Sequence, residues 1–135
     1  MYAKTGQSAY AQVSLESQVA GATPHQLITL LMDGAISAMM RAKIYFESGN
    51  IAKRGEMISR AINIIDNGLR ASLNHEVGGA VTEEMESLYE YVSRNLLLLN
   101  LQKQPEQLPH LIEIMTTLST TWKEIEPTRK PGHYG

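Results

Sequence analysis

No stretch of this chain alternates apolar and polar residues with period two. Apolar residues instead return every three or four positions along four separate segments. That spacing belongs to one face of an α-helix, so the chain is confined to an all-α fold. At 135 residues it is long enough to bury a core as one domain without covalent staples.

Local chemistry marks the segment ends. Thr23 is placed to cap a first helix, with Pro24 in the position that tolerates a missing amide, and Gly49-Asn50 ends it. Its expected buried stripe is Leu27, Leu31, Ala35, Ala38, Met39, Ala42 and Phe46. A second helix is expected over residues 51–75, with Ile58, Ile62, Ile65, Leu69 and Leu73 on its seam. Thr82, followed by Glu83 and Glu84, reads as the cap of a third helix running to about Lys103. That helix has Met85, Tyr89, Val92, Leu96 and Leu99 inward. A fourth, over residues 106–125, carries Leu108, Leu111, Met115, Leu118, Trp122 and Ile125, with Pro109 in its first turn.

The short connections at Gly49-Asn50 and Gln104-Pro105 force successive helices to run antiparallel. The expected architecture is an antiparallel up-down-up-down four-helix bundle over residues 23–126. An N-terminal arm, residues 1–22, precedes it with a short helical possibility at 9–18, and a disordered tail, residues 127–135, follows.

Several functions are disfavoured. Net charge is −2, and the basic residues are scattered rather than clustered, so no nucleic-acid surface is indicated. There is no cysteine, which excludes disulfides and thiol chemistry and fits a reducing compartment. No apolar run approaches the ~20 residues that a bilayer crossing needs, and the N-terminus lacks a signal-peptide core. A cytoplasmic location without membrane insertion is expected. Di-iron bundles need Glu-x-x-His pairs, yet His25, His75, His110 and His133 each have a non-carboxylate three residues upstream. No metal, cofactor or enzymatic activity is expected. Met32, Met39, Met40 and Met57 suit either an adaptable binding face or ordinary core filling.

Two helices carry more apolar residues than one seam uses. Met57, Ala61, Ile64, Gly68 and Ala71 form a second stripe on the second helix, about 100° from the first. Leu88, Tyr91, Leu98 and Leu101 do the same on the third. Either the two stripes line a groove for a partner's amphipathic helix, or the small residues permit close helix approach and the large ones face other helices. A symmetric homodimer through the same stripes is a further alternative.

Three blocks resemble the flagellar secretion chaperones of the FliS family. The first is Thr23-Pro24-His25-Gln26-Leu27-Ile28 with Leu31-Met32-Asp33-Gly34-Ala35. The second is Ala61-Ile62-Asn63-Ile64-Ile65-Asp66-Asn67-Gly68-Leu69, followed by Gly78-Gly79. The third is Leu88-Tyr89-Glu90-Tyr91-Val92-Ser93-Arg94 with Leu96-Leu97-Leu98 and Asn100. Trp122 also fits, and the match runs in order from position 10 to about 122. Thr23 stands where serine is usual, Asn95 where a second arginine is common, and Leu99 where alanine is common. Val77 and Ala80 flank the glycine pair where charges usually sit.

The resemblance implies a non-enzymatic bundle that binds the disordered C-terminal segment of flagellin and prevents its premature polymerisation. It also implies delivery to an export gate component of the flagellar type III apparatus. An anti-sigma factor is the alternative client. A family arm that includes the tyrosine at Tyr10 is expected to lie over the client site; here Tyr10, Val13 and Leu15 would form it.

Overall fold

The computed structural model describes residues 20–125, and for residues 75–77 the backbone alone. The covering-arm residues Tyr10, Val13 and Leu15, His133 and the tail at 127–135 lie outside that range, as does most of the arm. Among the described residues there is no strand, and four long helices form an antiparallel bundle.

Helix α1 (Pro24–Ser48) begins as its sequence dictates. The Gln26 amide donates to the Thr23 hydroxyl at 3.1 Å, and the Thr23 amide donates back to Gln26 Oε1 at 3.0 Å, a closed capping box. It stops at Gly49, whose φ of 74° is left-handed and suits a residue without Cβ. Asn50 caps α2 (Ile51–Asn63) through the Lys53 amide at 3.2 Å. The stretch α3 (His75–Gln102) is a short first turn and a long helix that meet at Gly79, whose φ of 57° and ψ of −132° are not helical. A 3₁₀ turn (Pro105–Gln107) leads into α4 (Leu108–Glu124), with Pro109 in its first turn as expected.

Two expectations need correction. The second helix does not run unbroken to residue 75: α2 passes into a π-helical turn (Ile64–Leu69) and a 3₁₀ turn (Arg70–Ser72), and ends there. Thr82 is not a terminal cap either. It lies in the first turn after the break at Gly79, buried, with its hydroxyl donating to the Asn74 carbonyl at 3.5 Å, so the long part of α3 starts close to the expected place but with another residue at its end.

Helix α1 packs against α2 and α4, and α3 packs against the same two from the other side. The core between them contains the expected seams, including Ala35, Ala38, Met39, Ile58, Ile65, Leu69, Tyr89, Val92, Leu96, Leu108, Leu111 and Met115. Met32, in the core-filling role open to it, and Ser119, which was not expected, join it, while Ile125 stays exposed. Ser119 is buried because its hydroxyl donates to Asp33 at 2.8 Å.

The seams differ in kind. At the end where α1 starts and α4 finishes, the His25 ring stacks on Trp122 at 4.8 Å. His25 Nε2 donates to the Trp122 carbonyl at 2.8 Å, and Trp122 Nε1 donates to the His25 carbonyl at 3.0 Å. The α1–α2 seam is close and apolar: Leu31 comes to 3.2 Å from where a Cβ on Gly68 would stand. The α2–α3 seam is crossed by polar ties at three levels. Arg54 Nε donates to Asn100 Oδ1 at 2.9 Å, Ser93 donates to Asp66 at 3.0 Å, and Arg70 donates to Glu86 at 2.7 Å. The α3–α4 seam is the most thinly packed of the four.

Candidate functional site

The two off-seam stripes end up in different surroundings. On α2, Met57 is 6% exposed and Ala61 fully buried. Ile64 is half-buried, its Cδ1 3.5 Å from where a Cβ on Gly34 would stand, and Gly68 admits Leu31. Ile64 and Gly68 therefore meet α1, and Met57 and Ala61 belong to the shared core. Only Ala71, beyond the π turn, is exposed. The expectation of one groove shared by the stripes of the second and third helices is corrected in this respect: the α2 stripe is consumed inside the bundle. Small residues there shorten the distance between helices, the alternative that spacing alone left open.

The α3 stripe is open to solvent. Tyr91, Leu98 and Leu101 are exposed and Leu88 is half-buried. Tyr91 meets the exposed His110 of α4 edge-on, with ring centroids 6.4 Å apart, so this side of α3 borders the α3–α4 seam. Leu88 and Tyr91 also line a shallow, open depression with Ala80, Glu83, Glu84 and Ser87.

Leu97, absent from the expected set, is 49% exposed beside Leu98 at 39% and Leu101 at 68%. Three leucines within five residues at the end of α3 form an apolar arc spanning about 100° of the helix surface. A signal for Leu97 was in the sequence. Leu96, Leu97, Leu98 and Leu99 are consecutive, and four side chains stepping about 100° each cannot share one buried face. One turn earlier on the same outward side, Glu90 and Arg94 face solvent and pair weakly at 3.9 Å. The outer surface of α3 thus changes from charged to apolar along its length.

A smaller apolar area lies on α1, where Met40 and Ile44 are exposed beside half-buried Ile36. Of the four methionines that suit an adaptable face, Met32, Met39 and Met57 are buried core, and Met40 alone reaches solvent.

The described residues hold no cluster of His, Asp and Glu suited to a metal ion, and no helix long and apolar enough to cross a membrane. Tyr89 is 1% exposed, and burial pushes its phenol up to about 12. Arg70 is held protonated more firmly than usual, first by its bond to Glu86 and then by Asp66. Both shifts belong to the packing of α3, one on its inward face and one on its α2 side. What the site offers is an apolar helix surface with a charged margin.

The family described as flagellar protein FliS matches residues 6–129. The flagellar secretion chaperone FliS of Salmonella typhimurium is 45% identical over 127 residues, covering 94% of each chain. That of Escherichia coli is 40% identical over 124 residues, covering 92% of this chain and 91% of the relative. Flagellar secretion chaperone FliSB of Pseudomonas aeruginosa is 35% identical over 125 residues, covering 93% and 98%. This chain belongs to the FliS family.

Proposed function

We propose that this chain is a cytoplasmic export chaperone whose client is the disordered C-terminal segment of flagellin. It keeps that segment from polymerising and assists its delivery to the flagellar type III export apparatus. The observation that carries the reading is the exposed strip on α3, Leu97, Leu98 and Leu101 with Tyr91 and half-buried Leu88 beside it. A soluble bundle has no structural use for three clustered exposed leucines, and such patches mark interaction sites. An amphipathic client segment would fold onto the strip through apolar residues at helical spacing.

Coupled folding and binding buries on the order of 1,000–3,000 Å² and loses about 2–5 kcal/mol to ordering the client. The strip alone is smaller than that, so the client extends beyond it. Progressive peeling by the export machinery would then release it without a nucleotide. Calorimetric titration with a flagellin C-terminal peptide tests the reading. Saturable 1:1 binding supports it. Absence of binding, with capture of an anti-sigma factor instead, would move the chain to the regulatory-adaptor class.

A further inference from the structure

Helix α1 packs against α2 on one side and α4 on another, and its buried residues Met32, Ala35, Ala38, Met39 and Ala42 mark its core side. About 180° away around the helix lie Leu30, Asp33, Ser37, Met40, Arg41 and Ile44. This outer face is apolar for a solvated one: Met40 is 54% exposed, Ile44 is 59% exposed, and Leu30 is half-buried. It carries two charges, of opposite sign. Asp33 accepts from Ser119 and pairs with Lys123 at 3.0 Å, yet its side chain is still 47% exposed. Arg41 is exposed and has no ion-pair partner among the described residues.

The order of these residues says what fits the face. They lie symmetrically about Ser37, with Asp33 and Arg41 four residues to either side of it and Leu30 and Ile44 seven. A two-fold contact between antiparallel copies of one helix sets residue i against j and j against i. Centred on Ser37, it puts Arg41 of each copy across from Asp33 of the other, within reach of an arginine side chain, and Ile44 across from Leu30. Ser37 meets itself and, being small, lets the helices close. A contact centred on Met40 would match more apolar surface, Ile36 against Ile44, but it opposes Asp33 to Glu47 and leaves Arg41 unpaired. Like charges face to face reject a register.

We propose that the outer face of α1 is a self-association surface whose partner is a second copy of this chain, antiparallel and centred on Ser37. The patch is small, so the dimer is weak, with a dissociation constant of about 10 μM to 1 mM. Helix α3 lies on the far side of α2 and α4 from α1. The contact therefore leaves Leu97, Leu98 and Leu101 open on both copies, and the dimer carries two clients. That consequence rests on the chaperone reading; the dimer itself does not.

The absence of cysteine allows a direct test on the full chain. A thiol at the two-fold meets its own copy, so Ser37→Cys should oxidise to a covalent dimer at least tenfold faster than Thr117→Cys on the exposed side of α4. Adding Arg41→Glu should bring that rate down to the Thr117→Cys level. A Ser37→Cys rate no greater than that of Thr117→Cys, a faster rate for Met40→Cys than for Ser37→Cys, or no effect of Arg41→Glu overturns the proposal. Sedimentation of the parent chain decides it without a cysteine: a monomer at about 1 mM overturns it, and a dimer that Arg41→Glu weakens at least tenfold supports it.

Titration of the disulfide-linked Ser37→Cys dimer with the flagellin peptide then tests the consequence. Two peptides per dimer, at the parent affinity within threefold, support it, and a single peptide per dimer or lost affinity overturns it. A parent chain that binds no peptide defeats the chaperone reading, while the oxidation rates still decide the dimer.

Discussion

The second stripes of α2 and α3 look alike on a helical projection and meet opposite fates. That of α2 disappears into the bundle, since Gly68 lets α1 approach, Ile64 fills the space beside Gly34, and Met57 and Ala61 are buried. That of α3 borders the edge of His110 and stays largely open to water, with Leu88 half-buried. Residue size separates them. Small residues at intervals invite a neighbouring helix close enough to bury everything between them, whereas consecutive leucines hold neighbours apart. An excess of apolar residues is therefore not itself a binding surface; it becomes one only where no helix of the same chain can approach.

Substitutions that treat the two stripes identically should break the symmetry of the pattern. Ala61→Asp places a charge at a fully buried site with no partner in view, and it should destabilise the bundle by about 4 kcal/mol or more. Urea unfolding followed by circular dichroism measures this. A loss below about 1 kcal/mol would mean that water reaches the α2 stripe after all.

The inward face of α3 gives a second contrast, in pH. Tyr89 holds its proton up to about 12 in the folded chain, against roughly 10 when unfolded. Below pH 10 both states keep the proton and stability is unaffected. Between pH 10 and 12 the unfolded state loses it first, so stability should fall by on the order of 2–3 kcal/mol. Tyr89→Phe should flatten that decline. An equally steep alkaline loss in the variant would show that another group is responsible.

Just past the leucines, Lys103 adopts φ 55°, a left-handed conformation that disfavours a side chain. Lys103→Gly should raise stability by about 1 kcal/mol. A loss on this substitution would show that the lysine side chain contributes more than its backbone strain removes. Smallest of all, Leu101→Asp on the open stripe should change stability by less than about 0.5 kcal/mol. A loss of 2 kcal/mol or more would place Leu101 in packing and undo the contrast between the stripes.

How much of this was legible follows from range. Thr23, Pro24, Gly49 and Asn50 act on amides a few residues away, so both ends of α1 and the start of α2 could be read directly. The inward seams repeat a local period, and Ile58, Ile65, Tyr89, Val92 and Leu96 are buried as the spacing requires. The fate of Ile64 and Gly68 was not legible, because it depends on how close Gly34 comes to the first and Leu31 to the second, both distant in sequence. Nor were the polar ties between α2 and α3. Arg54 and Asn100 are 46 positions apart, and neither shows from sequence that it bonds across a seam. The π turn is hidden for another reason. No residue of Ile64–Leu69 calls for a π turn over an α-helix, and the change of register there accompanies tertiary contacts of Gly68 with Leu31 and of Asp66 with Ser93.

The most direct trial of the account sets Leu101→Asp beside the parent chain in a calorimetric titration with the flagellin C-terminal segment. Unchanged helical circular dichroism together with affinity reduced about 30-fold or more, the scale of a central interface residue, is the predicted result. Full affinity in a folded Leu101→Asp chain would contradict it, because the exposed leucines of α3 would then have no part in holding the client.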